Sequence, residues 1–450
     1  MAFSYHPPTR CSCEVCEKLA LKDTHPPIID TFSGRSSSSN GYPFHDWYNF
    51  VLGYTPTFPE YMLNRENIHS SGNAVVLDPF VGSGTTQLVC KLNGIPSYGI
   101  DANDFMVFAA SQKLNWTINV DKIEELSNSI RKLYENKIKL INWSDNIAIS
   151  EMAKKDRPVA LDERYISDKP YIKVLELKKS IQEVNMGIEY YNFFMFTVSS
   201  ILVPISNIKY GPGFGIGKKK EDVDVIGLFL KKLDTMIGDL RKVSKDVKNT
   251  FSKTLLGDSR QLSKSIKENS ISLIITSPPY PGDHEYTKHS KLELIFNEFA
   301  TDLATFRIIK KRMIRGSTTN IYKEDVEKLK VQDIIELQKI TEEIDTRLKS
   351  DGATSGFEKL YTKLIWEYFG GMYNTLLECF KVLKPGGKIA LLVSDSHAFK
   401  MVHLQTANLL QRVGEKVGFV NSEILLWQLK NSTSHKYQLR ENILIMQKPN

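Results

Sequence analysis

Two short apolar runs, each ending in an aspartate and each followed by a helical pattern, constrain the fold of this chain most strongly. AVVLD (74–78) precedes a glycine turn and a helix that ends near Gly94, and SYGID (97–101) precedes a second helix from about Asn103. This alternation is typical of parallel strands joined by right-handed crossover connections. It therefore predicts an α/β protein built on a parallel sheet.

Five further apolar runs complete the predicted sheet, and the polar loop STSHKY between the last two predicts that these two pair antiparallel. We expect a Rossmann-like, seven-stranded and mostly parallel sheet with an antiparallel C-terminal strand pair and helical insertions. The five runs are residues 253–258, 272–277, 387–395, 423–429 and 442–448.

Two long stretches without strand pattern, rich in helical periodicity and charge, interrupt the predicted sheet. Such insertions commonly carry partner recognition, because loops on a rigid scaffold can hold binding residues without disturbing the core. The predicted segments are an N-terminal arm (1–41), a first part of the core (42–114), a helical insertion (115–250), a second part of the core (251–296), a second insertion (297–375) and a C-terminal part of the core (376–450).

Composition limits the class of protein. Of 450 residues, 41% are hydrophobic and 25% charged, as in soluble globular proteins. No apolar stretch of membrane-spanning length is evident and the N-terminus lacks the apolar segment of a signal peptide, so we expect a cytoplasmic protein without a membrane partner. The net charge of +7 permits a nucleic-acid partner without identifying one.

The cysteines give little support for a disulfide framework or a metal site. Five cysteines are too few to cross-link a chain of this length. Cys11, Cys13 and Cys16 cluster in the arm, but no second CxxC pair follows them. We therefore expect no metal, and a small zinc site in the arm is the alternative.

The glycine turn after the first strand, LDPFVGSGTT, lies where α/β proteins bind ligands, at the carboxyl ends of parallel strands. Gly82 and Gly84 would let the backbone approach a ligand closely. Gln87 replaces the third glycine of the dinucleotide fingerprint, and the GK[ST] of a P-loop is absent. The turn predicts a nucleotide-like ligand without a pyrophosphate cradle, with a plain tight turn as the alternative. Asp101 would then accept hydrogen bonds from ribose hydroxyls, and Asp258 from an adenine amino group.

The segment TSPPY (276–280) follows another predicted strand. Its two prolines fix φ and remove two backbone N–H donors, so the turn is stiff and presents carbonyl oxygens. Such an acceptor site beside the ring of Tyr280 suits a ligand with both an N–H donor and a π-face, such as an amino-bearing nucleobase. The alternative is an ordinary turn at the end of a strand.

In combination, these motifs resemble those of the S-adenosylmethionine-dependent amino-methyltransferases of DNA. The matching segments are DPFVGSGTT, YGID, LGDSR, TSPPY and LKPGGKIALLVS, within residues 42–110, 252–296 and 376–448. YTPTFPEYMLNR resembles the family motif that closes over the methionine end of the cofactor, and PGDHEYTKHSKLEL resembles a segment found in a subset of the family. The SPPY form is typical of the N4-cytosine branch, whereas N6-adenine enzymes more often carry Asp or Asn in place of Ser277.

The resemblance implies a site-specific DNA (cytosine-N4)-methyltransferase of a restriction–modification system. Methylation of adenine N6 is the first alternative, followed by an RNA-directed amino-methyltransferase and a non-catalytic nucleic-acid-binding module. The implied cofactor is S-adenosyl-L-methionine, and the implied partners are double-stranded DNA with a flipped target base and a cognate restriction endonuclease. The implied cofactor-binding residues are Thr57, Phe58, Asp78, Phe80, Gly82, Ser83, Gly84, Thr85, Thr86, Asp101, Ala102, Asp258 and Ser259.

The implied catalytic residues are Ser277, Pro278, Pro279 and Tyr280. The Ser277 hydroxyl and the Pro278 carbonyl would accept hydrogen bonds from the target amine, and Tyr280 would stack on the extruded base. Covalent C5-cytosine chemistry needs a cysteine after a proline, and no cysteine in this sequence follows one. The sequence therefore excludes that route.

Two basic segments, KYGPGFGIGKKK (209–220) and FRIIKKRMIRGSTTN (306–320), suit contacts to DNA phosphates, which position a protein without specifying sequence. A solvated charged face is the alternative for each, and which insertion contacts the bases stays open. The candidate DNA-binding residues are Lys218, Lys219, Lys220, Tyr286, Arg307, Lys310, Lys311, Arg312 and Arg315.

Overall fold

The computed structural model describes residues 42–210, 214–243, 245–282, 285–351, 356–431 and 438–450. The predicted N-terminal arm, with Cys11, Cys13 and Cys16, lies outside the described residues.

The predicted fold class is confirmed. Seven strands form a mostly parallel sheet in the order β10–β11–β7–β6–β1–β2–β5, where β11 runs antiparallel to both β7 and β10. The seven strands are β1 Val76–Asp78, β2 Ser97–Asp101, β5 Ser252–Leu256, β6 Ile271–Thr276, β7 Leu383–Ser394, β10 Val420–Asn431 and β11 Gln438–Gln447. Two separate antiparallel pairs are β3 Ile208–Tyr210 with β4 Phe214–Ile216, and β8 Ser396–Phe399 with β9 Val402–Leu404.

The α-helices occupy the connections between these strands and much of the two predicted insertions. They are α1 Thr57–Arg65, α2 Thr85–Leu92, α3 Asp104–Leu114, α4 Val120–Lys139, α5 Asn146–Asp156, α6 Asp168–Glu183, α7 Ile188–Ile205, α8 Val225–Lys242, α9 Lys245–Lys248, α10 Lys291–Phe296, α11 Leu303–Arg312, α12 Ile335–Asp351, α13 Tyr361–Val382 and α14 Thr406–Val417. Short 3-10 helices cover His45–Trp47, Ser259–Lys264, Tyr286–Ser290, Thr318–Asn320, Glu327–Lys330 and Glu358–Leu360.

The described residues fall into two compact units. The first unit contains residues 42–258 and 286–313, and the second contains residues 259–285 and 314–450. In the first unit β1, β2 and β5 pair in parallel, and in the second β6 pairs in parallel with β7. The segment boundaries drawn from the sequence stay predictions.

Helix α7 departs from the expectation that no segment has the length and hydropathy of a membrane span. Among the described residues it is the one helix that passes both criteria, but 56% of it is buried inside the protein. Phe193, Phe194 and Phe196 are fully buried in the core of the first unit. A helix that is apolar on all sides is typical of a protein core, and α7 forms such a core helix.

The first unit also buries an acidic side chain. Glu293 of α10 is fully buried, and its Oε1 accepts a hydrogen bond from the Tyr48 hydroxyl at 3.1 Å, whereas its Oε2 has no hydrogen-bond partner. Burial raises the pKa of Glu293 to about 7, although the hydrogen bond from Tyr48 favours the charged form. Near pH 6, Glu293 is therefore mostly protonated in the native state and mostly ionised in the unfolded chain.

We predict that Glu293→Gln stabilises the protein at pH 8 relative to the wild type, and much less at pH 4. Because the folded pKa is raised, the wild type loses stability as pH rises from the unfolded value of 4.5 to the folded value of about 7. The full loss is about 3 kcal/mol, and the uncharged amide avoids it. Denaturant unfolding at the two pH values measures the difference, with the exposed Glu151→Gln as the surface control. An equal effect of Glu293→Gln at both pH values would contradict the assignment.

Candidate active site

The glycine turn of the first unit connects β1 to α2 in a conformation that needs glycine. Gly82 and Gly84 have positive φ values of 48° and 91°, in the left-handed region. A Cβ on Gly84 would also lie 3.2 Å from the Cβ of Ala110 on α3. The turn is therefore fixed both by its backbone angles and by its close approach to a neighbouring helix.

Asp101, at the end of β2, holds this turn in place. Its Oδ2 accepts a hydrogen bond from the Gly82 N–H at 2.8 Å, and its Oδ1 accepts one from the Asn103 N–H at 2.9 Å. Burial raises the pKa of Asp101 to about 6, a rise that these backbone hydrogen bonds oppose. The sequence suggested a ribose contact for Asp101 but did not suggest its contact with the glycine turn.

Asp78, at the end of β1, has a partner that sequence reasoning missed. The Tyr54 hydroxyl donates to Asp78 Oδ2 at 2.7 Å and lies 2.6 Å from the Thr86 Oγ1, while the Phe80 N–H donates to Asp78 Oδ1. Burial raises the pKa of Tyr54 well above its ordinary value. Tyr54 is the first residue of YTPTFPEYMLNR, so its position in that motif was the available signal.

The other predicted cofactor residues differ in exposure. Phe58 is fully buried and its ring contacts that of Tyr54, whereas Thr57 is exposed and bonds to Thr55. Ser83, Thr85 and Thr86 are buried; Phe80, Ala102 and Asp258 are partly buried. Ser259 belongs to the second unit, where its hydroxyl lies 3.1 Å from that of Thr375. Their cofactor roles stay predictions.

TSPPY lies in the second unit, directly after β6, and several hydrogen bonds hold it. The Ser277 Oγ lies 3.0 Å from the carbonyl oxygen of Leu392 on β7, to which it donates, and 3.3 Å from the Tyr280 hydroxyl. The Tyr368 hydroxyl of α13 donates to the Pro279 carbonyl at 2.8 Å. Pro278 is buried. The turn is rigid through its prolines and through contacts to two other elements.

The hydroxyl of Tyr280 donates to Glu441 Oε1 on β11 at 3.1 Å. Glu441 is 2% exposed and also accepts hydrogen bonds from Gln428 and Lys430 of β10. Sequence reasoning missed Glu441, although an acidic residue beside the apolar run NILIM is an unusual feature.

The predicted DNA-binding residues of the first basic segment lie near β4. Lys218 and Lys219 are exposed, and Lys219 forms an ion pair with Glu221. Lys220 is partly buried, its Nζ donates to the Pro204 carbonyl, and burial lowers its pKa.

The predicted residues of the second basic segment differ in their surroundings. Arg307 and Lys311 lie on the exposed side of α11 and Lys310 is partly buried, whereas Arg312 forms an ion pair with Asp104. Arg315 is buried in the second unit, where it forms an ion pair with Asp325 and lies over the ring of Tyr322. Tyr286 begins a 3-10 helix of the first unit and is partly buried. Their DNA contacts stay predictions.

No group of three or more metal-ligating side chains occurs within the part of the chain that the structure describes. Cys90 and Cys379 are buried free thiols, and burial raises the pKa of both.

Comparison with known proteins relates this site to DNA methylation. The family described as DNA methylase (N6_N4_Mtase) matches residues 30–112, which include the glycine turn and Asp101 but not TSPPY. The chain is similar to the type II methyltransferase M.BsoBI of Geobacillus stearothermophilus, with 24% identity over 96% of this chain and 92% of the relative. The chain is also similar to the type II methyltransferase M.AvaI of Anabaena variabilis, with 24% identity over 96% of this chain and 91% of the relative.

A third relative shows a shorter match of higher identity. M.HpaI of Haemophilus parainfluenzae, also a type II methyltransferase, is 40% identical over 19% of this chain and 30% of its own length. Together the similarities support a DNA methyltransferase that modifies an exocyclic amine.

Proposed function

We propose that this chain transfers a methyl group from S-adenosylmethionine to the exocyclic N4 amine of cytosine in DNA, as the methyltransferase of a restriction–modification system. Similarity to type II methyltransferases supports the reaction class. The hydrogen bond of Ser277 to Leu392 is the observation that carries the chemistry. The choice of cytosine N4 over adenine N6 rests on the serine of TSPPY.

The acceptor groups of the first unit suit this cofactor. S-adenosylmethionine carries an ammonium, two ribose hydroxyls and an adenine amine, all hydrogen-bond donors, and Asp78 and Asp101 place carboxylates at the ends of β1 and β2. Asp258 adds a third carboxylate two residues after β5. The same carboxylates would repel a pyrophosphate. When bound, the cofactor would supply an electrophilic methyl group: the N–CH3 bond would form as the S–CH3 bond breaks, the thioether S-adenosylhomocysteine would leave, and the amine nitrogen would lose one proton to solvent.

The hydrogen bond of Ser277 explains how the chain could activate a poor nucleophile. The lone pair of an exocyclic amine is delocalised into the base, so catalysis requires acceptors that draw its N–H groups out of the ring plane. A serine hydroxyl has one proton, and donation of this proton to the Leu392 carbonyl leaves lone pairs on Oγ for the amine. Ser277, with the Pro278 carbonyl, then orients the nitrogen lone pair, so that catalysis is positioning and electrostatics.

Tyr280 and the basic segments provide the DNA contacts in this proposal. The target base leaves the duplex to reach TSPPY and stacks on the Tyr280 ring. The exposed Lys218, Arg307 and Lys311 contact phosphates, which fix the position of the duplex. We place the enzyme in the cytoplasm with a cognate endonuclease, on its similarity to type II methyltransferases.

The direct test measures methyl transfer from radiolabelled S-adenosylmethionine to duplex DNA, followed by nucleoside analysis. We expect N4-methylcytosine, and no incorporation into RNA of the same sequence. N6-methyladenine would correct the target base, and the absence of transfer to any DNA would overturn the proposal. Methylation-aware sequencing of DNA from expressing cells gives the base and the recognition site together.

We predict that the affinity for S-adenosylmethionine rises as pH increases from 5 to 7. Donor hydroxyls favour the ionised Asp101 carboxylate, whose pKa burial raises to about 6. Asp101→Asn should weaken binding about 10- to 100-fold at pH 7, the loss of a charged hydrogen bond, and should flatten the pH dependence. Calorimetry measures both, with the exposed Asp121→Asn as control. Unchanged affinity of Asp101→Asn at pH 7 would remove Asp101 from the cofactor site.

We predict that Ser277→Ala lowers kcat about 10- to 100-fold with little change in DNA or cofactor binding, because the lost hydrogen bond strengthens only as the amine becomes nucleophilic. Tyr280→Ala should weaken both binding of the extruded base and rate, since stacking is worth roughly 1 to 3 kcal/mol per base. Tyr280→Phe keeps the ring and should keep most activity. Single-turnover rates report the chemistry, and 2-aminopurine at the target position reports extrusion. Near-normal single-turnover rates for Ser277→Ala would leave TSPPY as an ordinary turn.

A further inference from the structure

We infer that Glu441 is a positioning residue that keeps Ser277 available as a hydrogen-bond acceptor by fixing the direction in which the Tyr280 hydroxyl donates. This inference rests on the proposed reaction, but it holds for any exocyclic amine. It follows from three groups in the second unit that lie within hydrogen-bonding distance in series: Ser277, Tyr280 and Glu441.

The Tyr280 hydroxyl has one proton, and Glu441, Ser277 and the Leu392 carbonyl, the last at 3.5 Å, each bring an oxygen within hydrogen-bonding distance of it. Its distance is 3.1 Å to Glu441 Oε1 and 3.3 Å to the Ser277 Oγ. Glu441 is the nearest of these acceptors, and a carboxylate accepts without donating, so the Tyr280 proton goes to Glu441 in preference to the more distant Leu392 carbonyl. The tyrosine oxygen can then accept from Ser277 but cannot donate to it.

The acceptor character of Glu441 is enforced from β10. A register shift between Leu426 and Gln428 places Gln428 directly opposite Glu441, and Lys430 follows two residues later on the same strand. The side chains of Gln428 and Lys430 both donate to the Glu441 carboxylate. Bulges of this kind re-aim side chains near functional sites. Since two N–H donors already face Glu441, the carboxylate has no role in the network except as an acceptor.

As a consequence, the Ser277 Oγ keeps a lone pair that can accept a hydrogen bond. Its own proton goes to the Leu392 carbonyl or to the Tyr280 oxygen, and no proton from Tyr280 occupies its oxygen. The target amine therefore finds an acceptor at Ser277. If Glu441 became a donor, Tyr280 could turn its proton to Ser277 and compete with the amine.

The test compares Glu441→Gln, Tyr280→Phe and the double variant with the wild type. A glutamine amide can donate to the Tyr280 oxygen. Glu441→Gln should therefore lower the single-turnover rate constant about tenfold, while the steady-state KM values for DNA and cofactor change little. Tyr280→Phe removes the competing hydroxyl, so the double variant should recover the rate of Tyr280→Phe alone. Lys430 is 45% exposed and can be solvated when its partner loses charge, so loss of the ion pair does not account for the effect.

Two controls separate this inference from a structural role and from the proposed function. Glu415→Gln breaks an exposed ion pair with Arg412 in the same unit and should leave the rate unchanged. A double variant as slow as Glu441→Gln, or slower, would overturn the inference. Formation of N6-methyladenine would correct the proposed target base. The inference would then still be tested by comparing the rates of Glu441→Gln, Tyr280→Phe and the double variant. If no DNA is methylated, the unfolding free energies of the same variants decide: additive effects of the two substitutions would show that Glu441 and Tyr280 are not coupled.

Discussion

Hydrogen bonds from loops to buried carboxylates hold both turns that we propose as ligand sites. In the first unit Asp101 accepts from the Gly82 backbone, and in the second Glu441 accepts from the Tyr280 hydroxyl. Each acid lies on a strand, so the hydrogen bond ties its turn directly to the rigid sheet. A carboxylate accepts and does not donate, and each therefore sets the direction of the bonds around it as well as the position of the loop.

Burial of these acids has a cost, and the way it is offset differs between them. Burial raises the pKa of Asp101 to about 6, and the nearby acid Asp78 adds to this rise. Hydrogen bonds from backbone N–H groups oppose the rise, because they stabilise the charged form. Glu441 faces the side chains of Gln428 and Lys430, which bring N–H donors and a positive charge. Asp101 is thus held by backbone donors, whereas Glu441 is held by side chains that donate to it. The first arrangement suits a binding site, and the second suits a support for catalysis.

The sequence predicted the sheet because its strands are short apolar runs, as expected where both faces are covered. It also located Gly82, Gly84 and TSPPY, since glycine permits backbone angles that other residues avoid and proline fixes φ. It did not predict which side chains meet across the fold. Tyr54 and Asp78 are 24 residues apart, and Tyr280 and Glu441 are 161 apart. Such pairs depend on strand order and register, which local patterns do not specify. The burial of Arg315 and its ion pair with Asp325 were also not predicted, because a run of basic residues does not show which of them is buried.

The register of β11 links the C-terminal strands to the chemistry proposed for TSPPY. The carbonyl of Leu392 on β7 accepts the hydrogen bond from Ser277. Leu392 pairs with Ile443 of β11, and two residues further along β7 Ser394 pairs with Glu441. Successive side chains of a strand point to opposite faces, so a slip of one residue would turn Glu441 away from Tyr280 and bring Arg440 or Asn442 into its position. The shift at Trp427 fixes the partner strand in the same way, by bringing Gln428 opposite Glu441. In the proposed mechanism the antiparallel pair therefore does more than close the sheet, because its register places Glu441 where it orients the hydroxyl beside Ser277.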